Sequence, residues 1–148
     1  MGVRIALDTN ILIAAITNPG GAGARIVEAW LGGGIEVVAS EATVREADLV
    51  LGGGWLARMA GADRVAAILD DLRARTAWVD EPPAIDDLPL KDAGDLRLVE
   101  AAAAGGASFI VTTDREFLSH RGYGGVEFVT PEEFLRASPL EAPQDGPG

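Results

Sequence analysis

Four acidic side chains stand at positions where this sequence otherwise places apolar ones or begins a helix. One acid closes an apolar strand, one interrupts the apolar stripe of a helix, one lies in the first turn of a helix, and one follows a second apolar strand. Mg²⁺ and Mn²⁺ prefer oxygen ligands, and a cation offsets the repulsion between neighbouring carboxylates. We therefore predict a divalent-metal site formed by Asp8, Glu46, Asp95 and Asp114.

Two of these acids, Asp8 and Asp114, follow predicted strands at the point where the chain turns into a helix. In open α/β sheets, ligands collect beyond the carboxyl ends of the strands, so the two carboxylates can meet in space. Aspartate is also a favoured helix N-cap, worth about 1 kcal/mol. A capping role is therefore the alternative for each residue taken singly.

Glu46 is the acid on the helical stripe, with Ala42 and Val50 four residues to either side of it. A lone carboxylate on a buried stripe would be costly. The alternative places Glu46 at the edge of the stripe, where it reaches solvent or pairs with Arg45 or Arg25.

Further polar residues surround these acids along the sequence. Asp92 and Asp95 have the spacing of the N-cap and third residue of one helix, and carboxylates interact well with the amide dipoles there. We expect Asp92 to be the cap and Asp95 to point toward the sheet. Asn10 and Thr112 are candidates to orient a carboxylate, a water or a phosphate, with turn and cap roles as the alternative.

Several other site types find little support. The chain has no cysteine, which excludes a disulfide framework, a thiolate zinc site and a cysteine nucleophile. Its one histidine, His120, is expected at the surface. The glycine-rich segment Gly20-Gly21-Ala22-Gly23 does not directly follow a strand and fails the phosphate-loop and dinucleotide patterns, so it is predicted to be a loop.

Length and composition fit one domain of common size. The chain has 148 residues, and we expect a folded domain over residues 1–137 followed by a disordered tail, 138–148, rich in proline, glycine and acids. No apolar stretch approaches the roughly 20 residues of a membrane span. The start of the chain lacks the pattern of a secretory signal. We expect a protein without a membrane segment that resides in the cytoplasm.

The net charge of −11 is opposite to the basic footprint expected of a nucleic-acid binder. This counts against a nucleic-acid substrate, although bound metal would offset part of it. An acidic surface would also suit a basic partner segment. Paired arginines could still contact phosphates, with a solvated surface role as the alternative: Arg58 with Arg64, Arg73 with Arg75, and Arg115 with Arg121.

Strand and helix signals alternate along the chain, which predicts an α/β fold with a mostly parallel sheet. Predicted strands cover 3–7, 35–39, 108–112 and 126–129. Predicted helices cover 11–16, 22–31, 41–51, 63–75, 115–118 and 131–137, and a further helix, capped by Asp92, runs to about residue 104. Ser40 is expected to cap the third helix, and Thr130 with Glu133 forms a capping box. Trp55 and Trp78 are expected to anchor the flanks of helix 63–75.

These motifs, in this order, resemble the PIN-domain ribonucleases, in particular the bacterial VapC-like toxins of toxin-antitoxin pairs. The likeness spans about residues 3–135. It depends on Leu7-Asp8-Thr9-Asn10-Ile11-Leu12, the helix with Glu46, Asp92-Ala93-Gly94-Asp95, Phe109-Ile110-Val111-Thr112-Thr113-Asp114, and Val129-Thr130-Pro131-Glu132-Glu133-Phe134-Leu135.

The resemblance implies a three-layer α/β/α sandwich around a central, mostly parallel sheet, with an acidic pocket that binds Mg²⁺ or Mn²⁺. By position, Asp8, Glu46, Asp95 and Asp114 match the family's acidic residues, while Asn10 and Thr112 match its polar accessories; Asp92 is a further accessory. Family members often form homodimers, and an antitoxin blocks those that are toxins by inserting a basic residue into the pocket. The chain departs from its relatives at Ala93-Gly94, where they often carry proline and a polar residue, and at Gly52-Gly53-Gly54-Trp55, where they often carry a basic segment.

The resulting hypothesis is metal-dependent hydrolysis of RNA phosphodiester bonds by the toxin of a toxin-antitoxin pair. Asp8 and Asp114 would bind the metal, Asp95 would complete or share the site, and Glu46 would bind metal or position the attacking water. One alternative is a catalytically silent PIN-like module that binds a protein partner. A second is an aspartyl phosphatase, which is disfavoured because Asn10 stands where that chemistry usually requires a second acid.

Overall fold

A six-stranded sheet in the order β3-β2-β1-β4-β6-β5 forms the centre of the computed structural model, which describes residues 3–138. All neighbouring strands are parallel except β5, which runs antiparallel to β6. The predicted tail lies outside the described residues apart from Ser138. The strands are β1 (Arg4–Leu7), β2 (Glu36–Ala39), β3 (Ala77–Trp78), β4 (Phe109–Val111), β5 (Gly122–Tyr123) and β6 (Val126–Val129).

Eight helices connect or follow these strands within the described residues. They are α1 (Thr9–Thr17), α2 (Ala22–Leu31), α3 (Glu41–Leu51), α4 (Trp55–Ala60), α5 (Ala62–Arg75), α6 (Ala93–Ala104), α7 (Arg115–Ser119) and α8 (Pro131–Ala137). None of the helices within residues 3–138 combines the length and the apolar character that crossing a membrane requires.

The two faces of the sheet bury separate apolar clusters because successive side chains of a strand point to opposite faces. On β1, Ile5 and Leu7 pack with α1, α2 and their neighbours, whereas Ala6 packs with the cluster that contains Leu98 of α6 and Phe117 of α7. Helices thus cover both faces of a mostly parallel sheet. The predicted three-layer α/β/α sandwich is confirmed.

The order of the strands places a crevice beside β1. The chain moves outward from β1 to β2 and β3, then returns to the other side of β1 as β4. Ligands of open α/β sheets bind where the strand order reverses in this way, outside the carboxyl ends of the strands. Leu7 of β1 pairs with Val111 of β4, so the residues that follow these two strands emerge side by side.

Capping side chains fix the starts of two helices at the predicted positions. The Ser40 hydroxyl accepts a hydrogen bond from the Thr43 N–H, and the Thr43 hydroxyl accepts one from the Ser40 N–H. Thr130 and Glu133 form the same reciprocal pair at the start of α8. These local bonds satisfy N–H groups that a helix leaves free in its first turn.

Three short elements and two tryptophan positions differ from the sequence-based expectation. Strands β3 and β5 have two residues each and α4 has six, too few to show a period in the sequence. The expected anchoring by tryptophan is wrong, because Trp55 is 40% and Trp78 is 51% exposed. Leu56, next to Trp55, is the fully buried residue of α4.

Candidate metal centre

Asp8 is buried at the carboxyl end of β1, with 8% of its surface exposed. It occupies the N-cap position of α1, but its side chain makes no capping hydrogen bond. Its Oδ2 accepts a hydrogen bond of 2.7 Å from the Thr112 hydroxyl instead. The Asp8 carboxylate thus faces Thr112 at the sheet edge, and the N–H groups of Asn10 and Thr9 in the first turn of α1 lie close enough to lower its pKa.

Thr112 links the two strand ends. It is fully buried, donates to Asp8, and accepts a 3.1 Å hydrogen bond from the N–H of Asp114. The pairing of Leu7 with Val111 brings these residues together, because the next residue on each strand then lies beside the other. The predicted orienting contact of Thr112 is present. Asn10 is exposed, and its side chain makes no hydrogen bond within residues 3–138.

Asp114 does act as a helix cap. Its Oδ1 accepts hydrogen bonds from the N–H groups of Glu116 and Phe117, at 2.9 and 3.3 Å, and fixes the start of α7. Both bonds end on the same oxygen, and Oδ2 accepts none within the described residues. For Asp114, the capping role and a ligand role are compatible.

Glu46 and Asp95 reach the same region from two helices that pack together, α3 and α6. Asp92 is the N-cap of α6 as predicted, since its Oδ1 accepts from the N–H groups of Gly94 and Asp95 at 2.7 and 3.3 Å. Asp95 and Glu46 are half-buried. Arg45 pairs with Glu41 and not with Glu46, which removes one of the alternative partners considered for Glu46.

The carboxylates lie close enough to perturb one another's protonation. The pKa of Asp95 is raised from 3.8 to about 7, first by burial and then by the charges of Asp8, Asp92, Asp114 and Glu46. Each charge disfavours another negative charge nearby. Asp95 is therefore the residue on which the other four acids converge.

Burial is also the main cause of the raised pKa of Glu46 and of Asp8. The charges of Asp92 and Asp8 add to the effect at Glu46. At Asp8, the hydrogen bond from Thr112 lowers the pKa and so opposes the effect of burial. No basic side chain in the described part of the chain contributes to these shifts, so the cluster carries an excess of negative charge that its own residues leave uncompensated.

One pocket brings three of the four acids together. Its walls come from β1, β2, α1, α3, α5 and α6, and it is lined by Leu7, Asp8, Thr9, Leu12, Val37, Val38, Ala39, Thr43, Val44, Glu46, Ala47, Leu72, Gly94, Asp95 and Leu98. Asp114 is not among the lining residues, although its charge reaches Asp95. The pocket is thus apolar at its base and acidic around Asp8, Glu46 and Asp95.

The donors fit a divalent cation in chemistry, because they are carboxylate oxygens with uncompensated charge. The arrangement is open: among residues 3–138, no three acidic or histidine side chains surround a common point at the distances of a metal ion. Side-chain rotation of Glu46 and Asp95, which are half-buried, would be required to close the site.

For two residues of α6, Gly94 and Glu100, the sequence predicted no role in the fold or the site. Gly94 lies against the Glu46 carboxylate. The feature of the sequence that could have identified it is a glycine in the first turn of a predicted helix, where alanine would be more stable. Glu100 is a buried carboxylate that pairs with Arg97. It resembles an ordinary surface acid in the sequence, and no pattern distinguishes it.

Known protein families and structures provide an independent comparison. Residues 4–116 match the profile of the PIN domain family. No curated protein sequence matches the chain.

Two solved structures share the fold. One is the crystal structure of VapBC2 from Rickettsia felis bound to a DNA fragment from their promoter, with 16% identity, a TM-score of 0.60, and coverage of 85% of this chain and 97% of that chain. The other is PAE2754 from Pyrobaculum aerophilum, with 21% identity, a TM-score of 0.58, and coverage of 90% of this chain and 88% of that one. At these identities the likeness supports the fold.

Proposed function

We propose that this chain, which belongs to the PIN-domain family, binds Mg²⁺ or Mn²⁺ in its acidic pocket and hydrolyses phosphodiester bonds of RNA. The observation that carries the proposal is that Asp8, Glu46 and Asp95 line one pocket, where the charges of nearby acids act on Asp95 and no basic residue offsets them. Such a cluster favours a divalent cation, which would lower the pKa of a bound water and offset charge on the phosphate.

The four acids have distinct parts in this proposal. Asp8 and Asp114, at the ends of adjacent strands, hold the cation, and Thr112 orients the Asp8 carboxylate through its hydroxyl. Asp95 completes the site from the first turn of α6. Glu46, from the facing helix, contacts the cation or positions the attacking water. Asp92 holds the start of α6 and so fixes where Asp95 lies.

The RNA substrate and the partners are parts of the same proposal. Arg115, which is exposed and directly follows Asp114, would contact a phosphate near the scissile bond. The net charge of −11 suits a basic antitoxin segment that would enter the acidic pocket and block it. A homodimer and a cytoplasmic location complete the proposed role as the toxin of a toxin-antitoxin pair.

The decisive variant is Asp8→Asn, which keeps the shape of the side chain and one acceptor oxygen for the Thr112 hydroxyl, and removes the charge. We expect cleavage of a mixed RNA pool in Mn²⁺ to fall by more than the roughly 10–100-fold that loss of a ligand-orienting group costs. Asp63→Asn, an exposed acid in α5, is the matched control and should cleave like wild type. Equal cleavage by Asp8→Asn and wild type would end the assignment.

A second candidate function is supported by the open arrangement of the acids within the described residues. A PIN-like module that binds a protein partner without turnover would keep this fold and tolerate such an arrangement. Calorimetric titration with Mn²⁺ distinguishes the two functions. Heat of binding that disappears in Asp8→Asn supports the nuclease, whereas no heat, together with no RNA cleavage, favours the module.

A further inference from the structure

We infer that Gly94 is a positioning residue: the absence of a side chain there leaves the space that the Glu46 carboxylate occupies beside α6. Gly94 is the second residue of α6, directly before Asp95, and α3, which carries Glu46, packs against this helix. The inference depends on the proposed metal function and assigns to it a residue that bears no donor atom.

The space at Gly94 is filled by Glu46. A Cβ added at Gly94 would lie 2.7 Å from Cδ and 2.8 Å from Oε2 of Glu46, and closer still to Oε1. Real Cβ atoms essentially never approach heavy atoms this closely, because protein interiors are packed at van der Waals distance. Any side chain at position 94 therefore displaces the Glu46 carboxylate.

The backbone does not explain the glycine. Gly94 lies in a regular helix and is not among the glycines with positive φ within the described residues. In a helix, alanine is favoured over glycine because glycine has more backbone freedom to lose. The glycine thus lowers the stability of α6, but it leaves the space that the Glu46 carboxylate occupies.

Among the glycines of residues 3–138, Gly94 is the one at which an added Cβ would meet a carboxylate; at Gly21 it would meet the side-chain amide of Asn18. An added Cβ at Gly52 or Gly122 would first meet backbone, and at Gly105 it would first meet Val79. At Gly94 it would meet the end of an acidic side chain that can rotate. The fold can therefore accept a methyl group at this position, and the displaced Glu46 carboxylate would move away from the first turn of α6 and from Asp95.

The test is Gly94→Ala in the full chain, with thermal unfolding and Mn²⁺ calorimetry as the two readouts. The melting temperature without metal should rise by a few degrees, because alanine favours the helix and the carboxylate repulsion around Asp95 falls. The Kd for Mn²⁺ should increase by about 10-fold, the scale for loss of ligand placement. A general packing defect would lower both stability and affinity, so the opposite signs identify the positioning role.

Two further variants complete the design. Glu46→Asp shortens the side chain by one methylene and makes room for the methyl, so adding Gly94→Ala to Glu46→Asp should change the Kd by less than about 2-fold. Gly20→Ala is the glycine control, since an added Cβ there meets nothing within 4 Å. It should leave the Kd unchanged.

Each result has a definite consequence. Wild-type protein that binds no Mn²⁺ overturns both the proposed function and the role of Gly94. Mn²⁺ binding by wild type and equally tight binding by Gly94→Ala overturn the role of Gly94 alone. A melting temperature of Gly94→Ala below that of wild type also overturns it, because the methyl would then disturb the fold and not the placement of Glu46.

Discussion

Asp8 and Asp114 show how one sequence pattern gives two different local structures. Both follow an apolar strand and precede a helix, and both occupy an N-cap position. Asp114 uses one oxygen to cap α7, whereas Asp8 makes no cap bond and accepts from Thr112. The difference comes from Thr112, which directly follows β4, is 104 residues away in sequence and is brought beside Asp8 by the pairing of β1 with β4.

The acids of the centre predict how stability depends on pH in the cation-free protein. The pKa of Asp95 rises from 3.8 in the unfolded chain to about 7 in the fold, so the folded state binds more protons between these values. Stability should therefore increase as pH falls from about 7 toward 4, and decrease as pH rises through 7. Burial of Asp8 and Glu46 acts in the same direction.

Thermal unfolding in the presence of a chelator measures this dependence. The melting temperature of wild type should be higher at pH 5.5 than at pH 8, and Asp95→Asn should show a smaller difference because it cannot take up the proton. An equal difference in the two proteins would show that other groups cause the pH dependence.

At the scale of elements, the segment between β3 and α6 is held by a buried acid outside the candidate metal centre. Glu100 of α6 is 3% exposed and accepts hydrogen bonds from the N–H of Ile85 at 2.9 Å and from Nη1 of Arg97 at 2.5 Å. Ile85 also packs against the apolar cluster on that face of the sheet. This segment leads directly to Asp92, so Glu100 fixes the path of the chain into α6.

Replacing Glu100 by alanine should lower the free energy of unfolding by about 1–3 kcal/mol, because the partly buried N–H of Ile85 loses its acceptor. Limited proteolysis within residues 79–92 should also accelerate, since the segment loses its polar contact with α6. Glu28→Ala, an exposed acid in α2, is the control and should leave both unchanged. Proteolysis at the wild-type rate in Glu100→Ala would show that apolar packing alone holds the segment.

The last helix offers a separate test of local structure. Glu133 accepts a 2.9 Å hydrogen bond from the N–H of Thr130, and its own N–H donates to the Thr130 hydroxyl at 3.0 Å. Glu133→Ala should destabilise the protein by about 0.5–1 kcal/mol through loss of half the capping box. Glu132→Ala, in the same turn but without such a bond, should have a smaller effect. Urea denaturation compares the two, and equal losses would exclude the capping bond as the cause.

At the scale of the whole molecule, the net charge of −11 makes any added cation stabilising, so specific and general effects must be separated. A cation that binds only the folded state at 100 times its Kd adds about 2.7 kcal/mol of stability. We expect Mn²⁺ to raise the melting temperature of wild type above its value in NaCl of the same ionic strength. Asp8→Asn should show only the NaCl effect, and an equal Mn²⁺ effect in both proteins would indicate surface screening.

The sequence alone determined those features that depend on neighbours within a few residues. The apolar runs of β1 and β4, the caps at Ser40 and Asp92, and the capping box at Thr130 follow from local spacing, and the structure contains each of them. The PIN-domain family could also be predicted, because it depends on ordered local motifs.

Only the tertiary structure decided which of these groups meet. The exposure of Trp78, the burial of Glu100 and the contact of Glu46 with Gly94 depend on how helices pack across the sheet, and no local pattern encodes them. The same holds for the raised pKa of Asp95, which needs burial first and then the charges of acids at the end of β1, in α3 and at the start of α7. Local spacing sets the elements, whereas burial and electrostatic coupling arise between residues far apart in the chain.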